Sequence, residues 1–319
     1  MLGGFGIHRL LVDVSKFKVI AKVGEGNFGE VKKALRPATK KTPEMTVAIK
    51  FLKSDNIRTS SALQAFHKEI ECQAALHHPA VLPIIGYSIP FGGKGFYTVI
   101  TEFMPKGSLF QLIKDVNSGN GPDDWENKKA INIFGIAAGM AYIHKKNIIH
   151  RDLKTDNVML DDKYYPNICD FGFSKYYEEG VTDQLSMTMK IGTKAYMAPE
   201  LVFGEGYSNK VDVFAYAIVL YEIFTLNKPY FDATFDLKKL TAYVNNGTRP
   251  TIKDGEVPEP FLQLIHDCWD NDPDHRPAFI DIVKEFIDNK EAYFGDIVAS
   301  DSEFNLYIDD CIEPLGLSQ

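Results

Sequence analysis

The segment HRDLKTDN, which runs from His150 to Asn157, places acidic, basic and amide side chains within eight residues. Asp152 precedes Asn157 by five positions, and Lys154 stands between them. A carboxylate can accept a proton, a lysine can neutralise a phosphate oxygen, and an amide oxygen can bind a hard metal ion. The spacing indicates one loop that carries a proton acceptor, a phosphate contact and a metal ligand, although the segment alone does not settle the reaction.

A second segment, GEGNFGEV, places three glycines between two predicted strands. Because glycine has no Cβ atom, Gly24, Gly26 and Gly29 could let backbone N–H groups approach phosphate oxygens closely. A strand rather than a helix follows Gly29, which excludes the dinucleotide-binding form of such a motif. A tight hairpin that needs glycine for its shape is an equally good interpretation of these residues alone.

Lys50 ends an otherwise apolar predicted strand, VAIK. An inward-facing ammonium group needs a carboxylate partner, because an unpaired buried charge is strongly unfavourable. The segment 62–76 has apolar residues at helical spacing and is predicted to be the one helix among these strands. Glu69 on that helix is the best candidate partner, although Lys50 taken alone would be interpreted as a solvated lysine at a strand end.

The ordered set GEGNFGEV, VAIK, HRDLKTDN, DFG and APE strongly resembles the motifs of the eukaryotic protein kinases. The resemblance covers about residues 15 to 290. It implies an enzyme that transfers the γ-phosphoryl group of ATP to protein hydroxyls in the presence of Mg²⁺. Any one motif could arise by chance, but five in one order are highly specific.

The resemblance implies a role for each polar residue of the first segment. Asp152 accepts or orients the proton of the attacking hydroxyl, and Lys154 steadies the transferred phosphoryl group. Asn157 and Asp170, the latter from the DFG motif, bind magnesium through oxygen atoms. Aspartates also cap helices and begin turns, which is the plainer interpretation of Asp152 or Asp170 taken singly.

The resemblance also implies an ATP site in which Lys50, fixed by Glu69, holds the α- and β-phosphates near the three glycines. The other residues that match ATP-binding positions are Val31, Ala48, Thr101, Glu102, Met104 and Met159. Each of these is also explained as a core residue, so only the backbone groups of the connector near Glu102 and Met104 would carry base recognition.

Two features resemble serine/threonine kinases rather than tyrosine kinases. One is Lys154, and the other is GTKAYMAPE, where Thr193 could hydrogen-bond Asp152 and Lys154. The segments KVDVFAYAIVLYEIFT and CWDNDPDHRPAF resemble the tyrosine-kinase-like group, which is largely Ser/Thr-specific but includes dual-specificity members. Tyr196 departs from the Trp that this group usually carries. Ser/Thr specificity is therefore expected, with dual specificity as the alternative.

The residues between Asp170 and Glu200 match the activation segment of the family. Arg151, which precedes Asp152, could receive a phosphate from that segment and so order it. The candidate acceptors are Thr182, Ser186 and Thr188. We expect phosphorylation of Ser186 or Thr188, with an upstream kinase as a possible partner, to order the segment and raise activity, although plain loop hydroxyls are an equally good interpretation of each one.

Three further matches are expected to be structural. Glu200 and Arg276 match a buried ion pair, and Asp212 matches a helix residue that braces the backbone of the 150–157 segment. The histidines lack metal-ligand spacing, so zinc is not implied. His150 is expected to pack in the core rather than act as a base.

Gln73 departs from the family pattern, because kinases usually place an apolar residue four positions after the Glu69 equivalent. A polar group there needs a partner or water, and it weakens the case for an intrinsically active arrangement. Two rival functions are a pseudokinase scaffold and a small-molecule phosphotransferase. The presence of Lys50, Asp152 and the magnesium ligands opposes the first, and the GTKAYMAPE segment opposes the second.

The expected fold is an α+β, two-lobed protein-kinase fold. Short β-rich runs at 17–24, 29–35 and 46–52 predict a small antiparallel lobe, and later segments have helical periodicity. The predicted divisions are an extension at 1–14, a kinase domain at 15–290 and a tail at 291–319. Within the domain we expect a smaller lobe at about 15–101, a connecting hinge at about 102–107 and a larger lobe at about 108–290.

Composition excludes several function classes. The 319 residues carry a net charge of -8 without a long basic run, which argues against a nucleic-acid partner or an anionic-membrane surface. The longest apolar run, which begins at Phe214, is too short for a membrane span and is interrupted by Glu222. Four cysteines without a CxxC pair predict a reducing, cytoplasmic setting.

Overall fold

The computed structural model describes residues 7–25, 29–40, 42–52, 60–90, 96–176, 194–203, 206–230, 246–298 and 302–318. The chain divides into two compact units. The first consists of Met1–His77 and Leu82–Pro105, and the second consists of His78–Val81 and Lys106–Gln319. The first unit is a sheet with one long helix, and the second is mainly helical, so the α+β fold expected from the sequence is confirmed.

The first unit is built on a five-stranded antiparallel sheet. Its strands are β1 (Lys18–Glu25), β2 (Gly29–Arg36), β3 (Met45–Leu52), β4 (Ile84–Ser88) and β5 (Thr98–Glu102). They pair in the order β1-β2-β3-β5-β4. The three strands predicted from the sequence are present, each displaced by no more than one residue at either end.

Side chains alternate between the two faces of this sheet, so each face packs against different residues. One face buries an apolar cluster formed by Ala34, Val47, Ile49 and Ile100. On the opposite face, Leu52 and Val99 pack against Phe66 and Ile70 of helix α1 (Ser60–Ala74). The predicted helix at 62–76 is therefore α1, which begins and ends two residues earlier than predicted.

The described residues of the second unit form further helices and two short ladders. The helices are α2 (Leu109–Asn117), α3 (Trp125–Lys145), α4 (Pro199–Phe203), α5 (Lys210–Thr225), α6 (Glu259–Cys268), α7 (Phe279–Asp288), α8 (Lys290–Val298) and α9 (Ser302–Ile312). In the ladders β6 (Ile148–Ile149) pairs with β9 (Lys175–Tyr176), and β7 (Val158–Leu160) pairs with β8 (Pro166–Ile168).

Helices α3 and α5 form the centre of the second unit. Every residue from Val211 to Ile223 of α5 is buried, and so is nearly every residue of α3 from Lys128 to Ile143. A helix that is apolar all round must be covered on all sides, which is why α5 has no solvent-facing stripe. Among the described residues no helix has both the length and the apolar character needed to cross a bilayer.

The C-terminal helices pack on α3. Phe304, Tyr307 and Cys311 of α9 are buried, and the Nε2 atom of His78 lies 2.9 Å from the Cys311 carbonyl oxygen. The Nδ1 atom of His78 accepts a hydrogen bond from the Ala80 amide, so Nε2 is the protonated nitrogen. Burial lowers the pKa of His78 to about 4, which keeps the ring neutral. The segment treated as a tail in the sequence is therefore helical and part of this unit's core.

Gly135 shows how closely α9 approaches α3. A Cβ atom at this position would lie 2.3 Å from the Tyr307 hydroxyl oxygen and 2.7 Å from Pro166 Cγ. Glycine inside a helix costs about 1 kcal/mol relative to alanine. Glycine is nevertheless required at position 135, because Tyr307 occupies the space where an alanine methyl group would lie.

We expect Gly135→Ala to destabilise the chain by about 1–3 kcal/mol, because overpacking against Tyr307 and Pro166 outweighs the gain in helix propensity. Urea unfolding of the full chain measures the change. Adding Tyr307→Phe to Gly135→Ala removes the nearest clashing atom, so the double variant should recover part of the loss. A Gly135→Ala chain as stable as the wild type would contradict this account of the docking.

Candidate active site

Asp212, in the first turn of α5, holds the backbone that leads into the 150–157 loop. Its Oδ2 atom accepts hydrogen bonds from the His150 amide and from His144 Nε2, both at 2.8 Å, and Oδ1 accepts one from the Arg151 amide at 2.8 Å. Asp212 is fully buried. Three donors therefore converge on one carboxylate inside the core, and the loop is tied to a helix that is buried from Val211 to Ile223.

The environment of Asp212 favours its ionised form. Burial raises the pKa of this carboxyl group, but the hydrogen bonds from the His144 ring and the His150 amide, with the electrostatic effect of both histidines, outweigh burial, so the pKa lies below its usual value. An ionised carboxylate is an acceptor on both oxygens, which matches the three donors that it faces. The charge thus holds the loop without changing protonation near neutral pH.

Asp152 lies at the centre of the loop. Lys154 Nζ donates to both of its carboxylate oxygens, at 3.2 and 2.9 Å. The Asn157 side-chain amide donates to Asp152 Oδ2 at 2.7 Å and to the Asp152 carbonyl oxygen at 2.8 Å. The loop therefore closes on itself, because the Lys154 and Asn157 side chains both donate hydrogen bonds to Asp152.

Burial is the largest influence on Asp152. It raises the pKa of this carboxyl group above its usual value, against the opposing effects of Lys154, His150 and Asn157. A carboxylate that is partly stripped of water but remains hydrogen-bonded is a better proton acceptor than an exposed one. The site thus combines a basic carboxylate with an adjacent ammonium group.

The β7–β8 ladder brings Asn157 and Asp170 together. Val158 pairs with Ile168, and the Cys169 amide donates to the Asn157 carbonyl oxygen at 2.9 Å. Asp170 follows immediately, with φ 65° and ψ 71° in the left-handed region. The side-chain nitrogen of Asn157 faces Asp152, which leaves its oxygen Oδ1 for a metal ion. A carboxylate and an amide oxygen at one edge suit Mg²⁺, which takes few protein ligands beside phosphates and water.

The side chains around the loop also bear on whether metals other than magnesium could bind there. Among the described residues, no three His, Cys, Asp or Glu side chains lie close enough together to hold a metal ion. His150, one of the histidines set aside in the sequence, is fully buried; it contacts the Cys169 carbonyl oxygen and the ring of Phe171. It packs in the core, as expected from the sequence.

In the first unit, Lys50 on β3 lies beside Glu69 on α1. Lys50 Nζ and Glu69 Oε1 are 3.7 Å apart, and both side chains are largely buried. Sequence reasoning identified Glu69 because an inward-facing lysine needs a carboxylate, and the structure places it on the helix that covers this face of the sheet. The pair can hold an ammonium group in a fixed place for phosphate contact.

The other ATP-site candidates of the first unit share that face. Val31 is opposite Lys50 and Thr101 is opposite Ala48, so their side chains project from the same side as Lys50. Glu102 pairs with Val47 and therefore projects from the other side. Met104 is buried in the same unit, whereas Met159 belongs to β7 of the second unit.

Gly29 and Gly24 differ in whether the packing around them excludes a side chain. A Cβ atom on Gly29 would lie 1.7 Å from the Phe51 carbonyl oxygen, so the close approach of β2 to β3 demands glycine there. At Gly24 a Cβ atom would meet only Val31, at 3.9 Å. The hairpin interpretation thus explains Gly29, and it gives no packing reason for Gly24.

Gln73, which departs from the family pattern, has a partner. Its side chain is buried, and Nε2 donates to the Leu82 carbonyl oxygen at 2.9 Å. A buried amide that is hydrogen-bonded carries little penalty. The bond ties the end of α1 to the start of the Leu82–Pro105 segment, so Gln73 gives no structural reason to doubt the arrangement of α1.

The predicted pair Glu200 and Arg276 is buried and bidentate. Arg276 donates to Glu200 Oε1 at 2.7 Å and to Oε2 at 2.9 Å. The guanidinium group also donates to the carbonyl oxygens of Asp270 and Lys210. This fork geometry satisfies both charges and fixes α4, whose first two residues are the last two of the predicted activation segment.

Several predicted residues lie outside the described residues. They are Gly26, Thr182, Ser186, Thr188 and Thr193. Arg151, the predicted phosphate receptor, is described: its guanidinium group donates to the Phe173 carbonyl oxygen and, at 2.8 Å, to the Tyr207 hydroxyl.

Sequence reasoning missed one polar cluster next to the loop. Thr155 donates to Glu222 Oε2 at 2.8 Å, and the Tyr196 hydroxyl donates to the same oxygen at 2.5 Å. All three residues are buried. Glu222 was noted only as an interruption of an apolar run, but a carboxylate within a fully buried helix is itself a signal that donors must surround it.

We expect Asp212→Asn to lower the free energy of unfolding by about 2–4 kcal/mol at neutral pH, because an amide leaves some of the three donors without an acceptor. A matched control is Asp161→Asn, since Asp161 Oδ1 accepts from the Lys163 and Tyr165 amides in a half-buried turn. That variant should lose about 1 kcal/mol. Equal losses in urea unfolding would contradict the special role of Asp212.

The pH dependence of stability should change as well. Because the pKa of Asp212 is lowered in the folded chain, its contribution is present above the pKa of the unfolded chain and is lost as pH falls through the folded value. We therefore expect the melting temperature of Asp212→Asn to fall less steeply than that of the wild type on acidification. Parallel curves would exclude this linkage.

Comparisons with known proteins agree with this geometry. A family model described as protein tyrosine and serine/threonine kinase matches residues 17–286. Helices α8 and α9 lie beyond the matched residues. The matched segment covers most of both units and includes every residue of the candidate site described above.

Individual relatives carry related names. A probable serine/threonine-protein kinase of Dictyostelium discoideum is 34% identical over 272 residues, which are 85% of this chain and 28% of the relative. Serine/threonine-protein kinase STY17 of Arabidopsis thaliana is 32% identical over 274 residues, 86% of this chain and 44% of the relative. Dual specificity protein kinase shkB of Dictyostelium discoideum is 34% identical over 269 residues, 84% of this chain and 39% of the relative. The chain spans less than half the length of these relatives.

Proposed function

The chain belongs to the protein tyrosine and serine/threonine kinase family, and from this premise we propose that it transfers the γ-phosphoryl group of MgATP to serine and threonine hydroxyls of proteins. The observation that carries the proposal is the closed arrangement of Asp152, Lys154 and Asn157, held to the core by Asp212. In this proposal Asp152 supplies the proton acceptor, Lys154 the cation and Asn157 a metal ligand, and their mutual hydrogen bonds support it.

In the reaction, the substrate hydroxyl oxygen forms a bond to the γ-phosphorus while the bond to the β–γ bridging oxygen breaks, and ADP leaves. The hydroxyl proton passes to the Asp152 carboxylate, which burial makes more basic than an exposed aspartate. Lys154 lies beside Asp152 and neutralises negative charge on the transferred group. Catalysis thus consists mainly of positioning and charge stabilisation.

Asn157 and Asp170 would hold magnesium through their side-chain oxygens. Magnesium held there would supply positive charge to neutralise the phosphate oxygens. Lys50, kept in place by Glu69, would contact the α- and β-phosphates. Gly24, Gly26 and Gly29 would cover the phosphates, and the adenine base would lie against Val31, Ala48, Met159 and Thr101, with backbone groups of Glu102 and Met104 as its hydrogen-bond partners.

Serine/threonine specificity is supported by Lys154 and by relatives named serine/threonine-protein kinases. Dual specificity is a second candidate, because other relatives at similar identity are named dual specificity protein kinases. The two candidates differ only in whether tyrosine is also phosphorylated, which product analysis distinguishes.

We also infer control by phosphorylation of the activation segment at Thr182, Ser186 or Thr188. The contacts of Arg151 support this inference, since its guanidinium group lies against the Phe173 carbonyl oxygen at the start of that segment. A phosphate nearby would gain a charge-assisted bond. The source of that phosphate, whether the chain itself or an upstream kinase, and a cytoplasmic location are further parts of the proposal.

The proposed domain organisation keeps a kinase domain at 15–290, with the extension and the C-terminal segment flanking it. The match to residues 17–286 supports these bounds. Because α9 is buried against α3, the C-terminal segment contributes to the stability of the second unit rather than acting only as an appended tail.

The direct test measures phosphate transfer from labelled ATP with Mg²⁺ to dephosphorylated casein, followed by identification of the phosphorylated residues. Asp152→Asn should lower the rate by about a hundredfold to ten-thousandfold, because the proton acceptor is lost. Asp162→Asn, an exposed aspartate in the turn after the loop, is the matched control and should retain wild-type activity.

Labelled serine and threonine alone would support the proposed specificity, and labelled tyrosine in addition would establish dual specificity. If the chain binds ATP but transfers nothing, even after treatment with a promiscuous activating kinase, the enzyme proposal fails. Equal rates for the wild type and Asp152→Asn would overturn the assignment of Asp152.

A further inference from the structure

Helix α5 contacts the 150–157 loop at two points. Asp212, in the first turn of α5, binds the backbone at the start of the loop. Glu222 lies ten residues later, about 15 Å along the helix axis, and binds the side chain of Thr155. A second buried carboxylate on one helix therefore reaches the other part of the same loop.

Thr155 occupies the tightest part of the loop. It is fully buried and begins the short 3₁₀ turn Thr155–Asn157, in which the Asn157 amide donates to the Lys154 carbonyl oxygen at 2.9 Å. Lys154 precedes it and Asn157 ends the turn. The orientation of Thr155 therefore fixes the directions of the phosphate contact and the metal ligand on either side.

The Tyr196 hydroxyl completes the cluster. It donates to Glu222 Oε2 and lies 3.2 Å from Thr155 Oγ1. Tyr196 stands in the described segment that leads into α4, so this one oxygen receives donors from the 150–157 loop and from the end of the predicted activation segment. Burial raises the pKa of Tyr196 well above its usual value, so its hydroxyl stays a donor.

We propose that Thr155, Glu222 and Tyr196 form a second attachment of the 150–157 loop to α5, and that Thr155 is a positioning residue for phosphoryl transfer. The inference rests on the proposed function, because it assigns a role within that reaction. Thr155 acts through Lys154 and Asn157 and does not touch the substrate itself.

The free-energy cost of burying Glu222 distinguishes loop attachment from simple packing. A buried carboxylate without donors is strongly unfavourable, so the two hydroxyls are needed to keep Glu222 in the interior of the apolar helix. An aliphatic side chain at position 222 would pack in α5 without binding the loop. Burying a carboxylate at position 222 lowers stability, and its hydrogen bonds to the 150–157 loop and to the segment that contains Tyr196 offset this loss.

The protonation of Glu222 offers a test of this role, because a purely packing role would not make the rate depend on the protonation of Glu222. Burial raises the pKa of Glu222 to about 7, and the negative charge of Asp156 acts in the same direction. The hydrogen bonds from Tyr196 and Thr155 and the positive charge of Lys228 lower the pKa. The ionised carboxylate accepts from both hydroxyls. A protonated carboxyl group accepts these bonds more weakly, because its charge is lost and one of its oxygens carries the proton. Because the two hydroxyl bonds lower the pKa of Glu222 relative to a buried carboxyl group without them, attachment favours the ionised form and should weaken as pH falls through about 7.

The first test substitutes Thr155. Thr155→Val keeps the shape but removes the hydroxyl, and we expect it to lower kcat about tenfold or more while KM for MgATP changes by less than about twofold. Thr155→Ser retains the hydroxyl and should recover most of kcat. Tyr216→Phe is the matched control, because Tyr216 is also buried on α5 but donates to the Ile133 carbonyl oxygen, away from the loop.

The second test follows pH. Wild-type kcat should rise between about pH 6 and about pH 8 with a component near pH 7, and Glu222→Gln should lack that component because its amide does not titrate. Superimposable pH profiles for the two chains, or a Thr155→Val chain with unchanged kcat, would overturn the proposal.

A structural readout keeps this inference separate from the enzyme proposal. Hydrogen exchange of the peptide that covers the loop should be faster in Thr155→Val than in the wild type and Thr155→Ser, by about tenfold. If the wild type shows no transferase activity, the proposed function fails, and faster exchange would still support the attachment. Unchanged exchange in Thr155→Val would refute the attachment whether or not the enzyme is active.

Discussion

The buried carboxylate of Asp212 is the interaction on which the candidate site depends. It accepts three hydrogen bonds, two of them from the backbone of His150 and Arg151, inside the helical unit. Backbone amides at a sharp turn need acceptors, and Arg151 has φ 65°, so no regular ladder can supply them. One ionised side chain therefore fixes where the 150–157 loop begins.

The rest of the site follows from that anchor. α5 is buried along its whole apolar length, so a carboxylate at its start is held as firmly as the core itself. From this fixed start, Asp152, Lys154 and Asn157 close into a hydrogen-bonded set, and the short β7–β8 ladder brings Asp170 beside Asn157. A reaction that needs a proton acceptor, a cation and metal ligands at fixed positions requires this kind of support.

Much of the fold could be predicted because its signals are local. Short β-rich runs predicted β1 to β3, and helical periodicity predicted α1. The pairing of Lys50 with Glu69 could be proposed because the energetic cost of an unpaired buried charge leaves few candidate partners. The motif set identified the family, which the match to residues 17–286 confirms.

What could not be predicted depends on contacts between distant residues. The Gln73 amide is stabilised by the Leu82 carbonyl oxygen, and α9 is ordered by packing on Gly135 and by His78, which nothing local in residues 291–319 reveals. Glu222 meets Thr155 across 67 positions of sequence.

Hydrogen exchange measured amide by amide tests the central claim, that Asp212 ties the 150–157 loop to the core. We predict that the His150 and Arg151 amides exchange only through global unfolding, as slowly as the amides in the middle of α5. Exchange of these two amides much faster than that of the α5 core would contradict the claim that Asp212 ties the loop to the core.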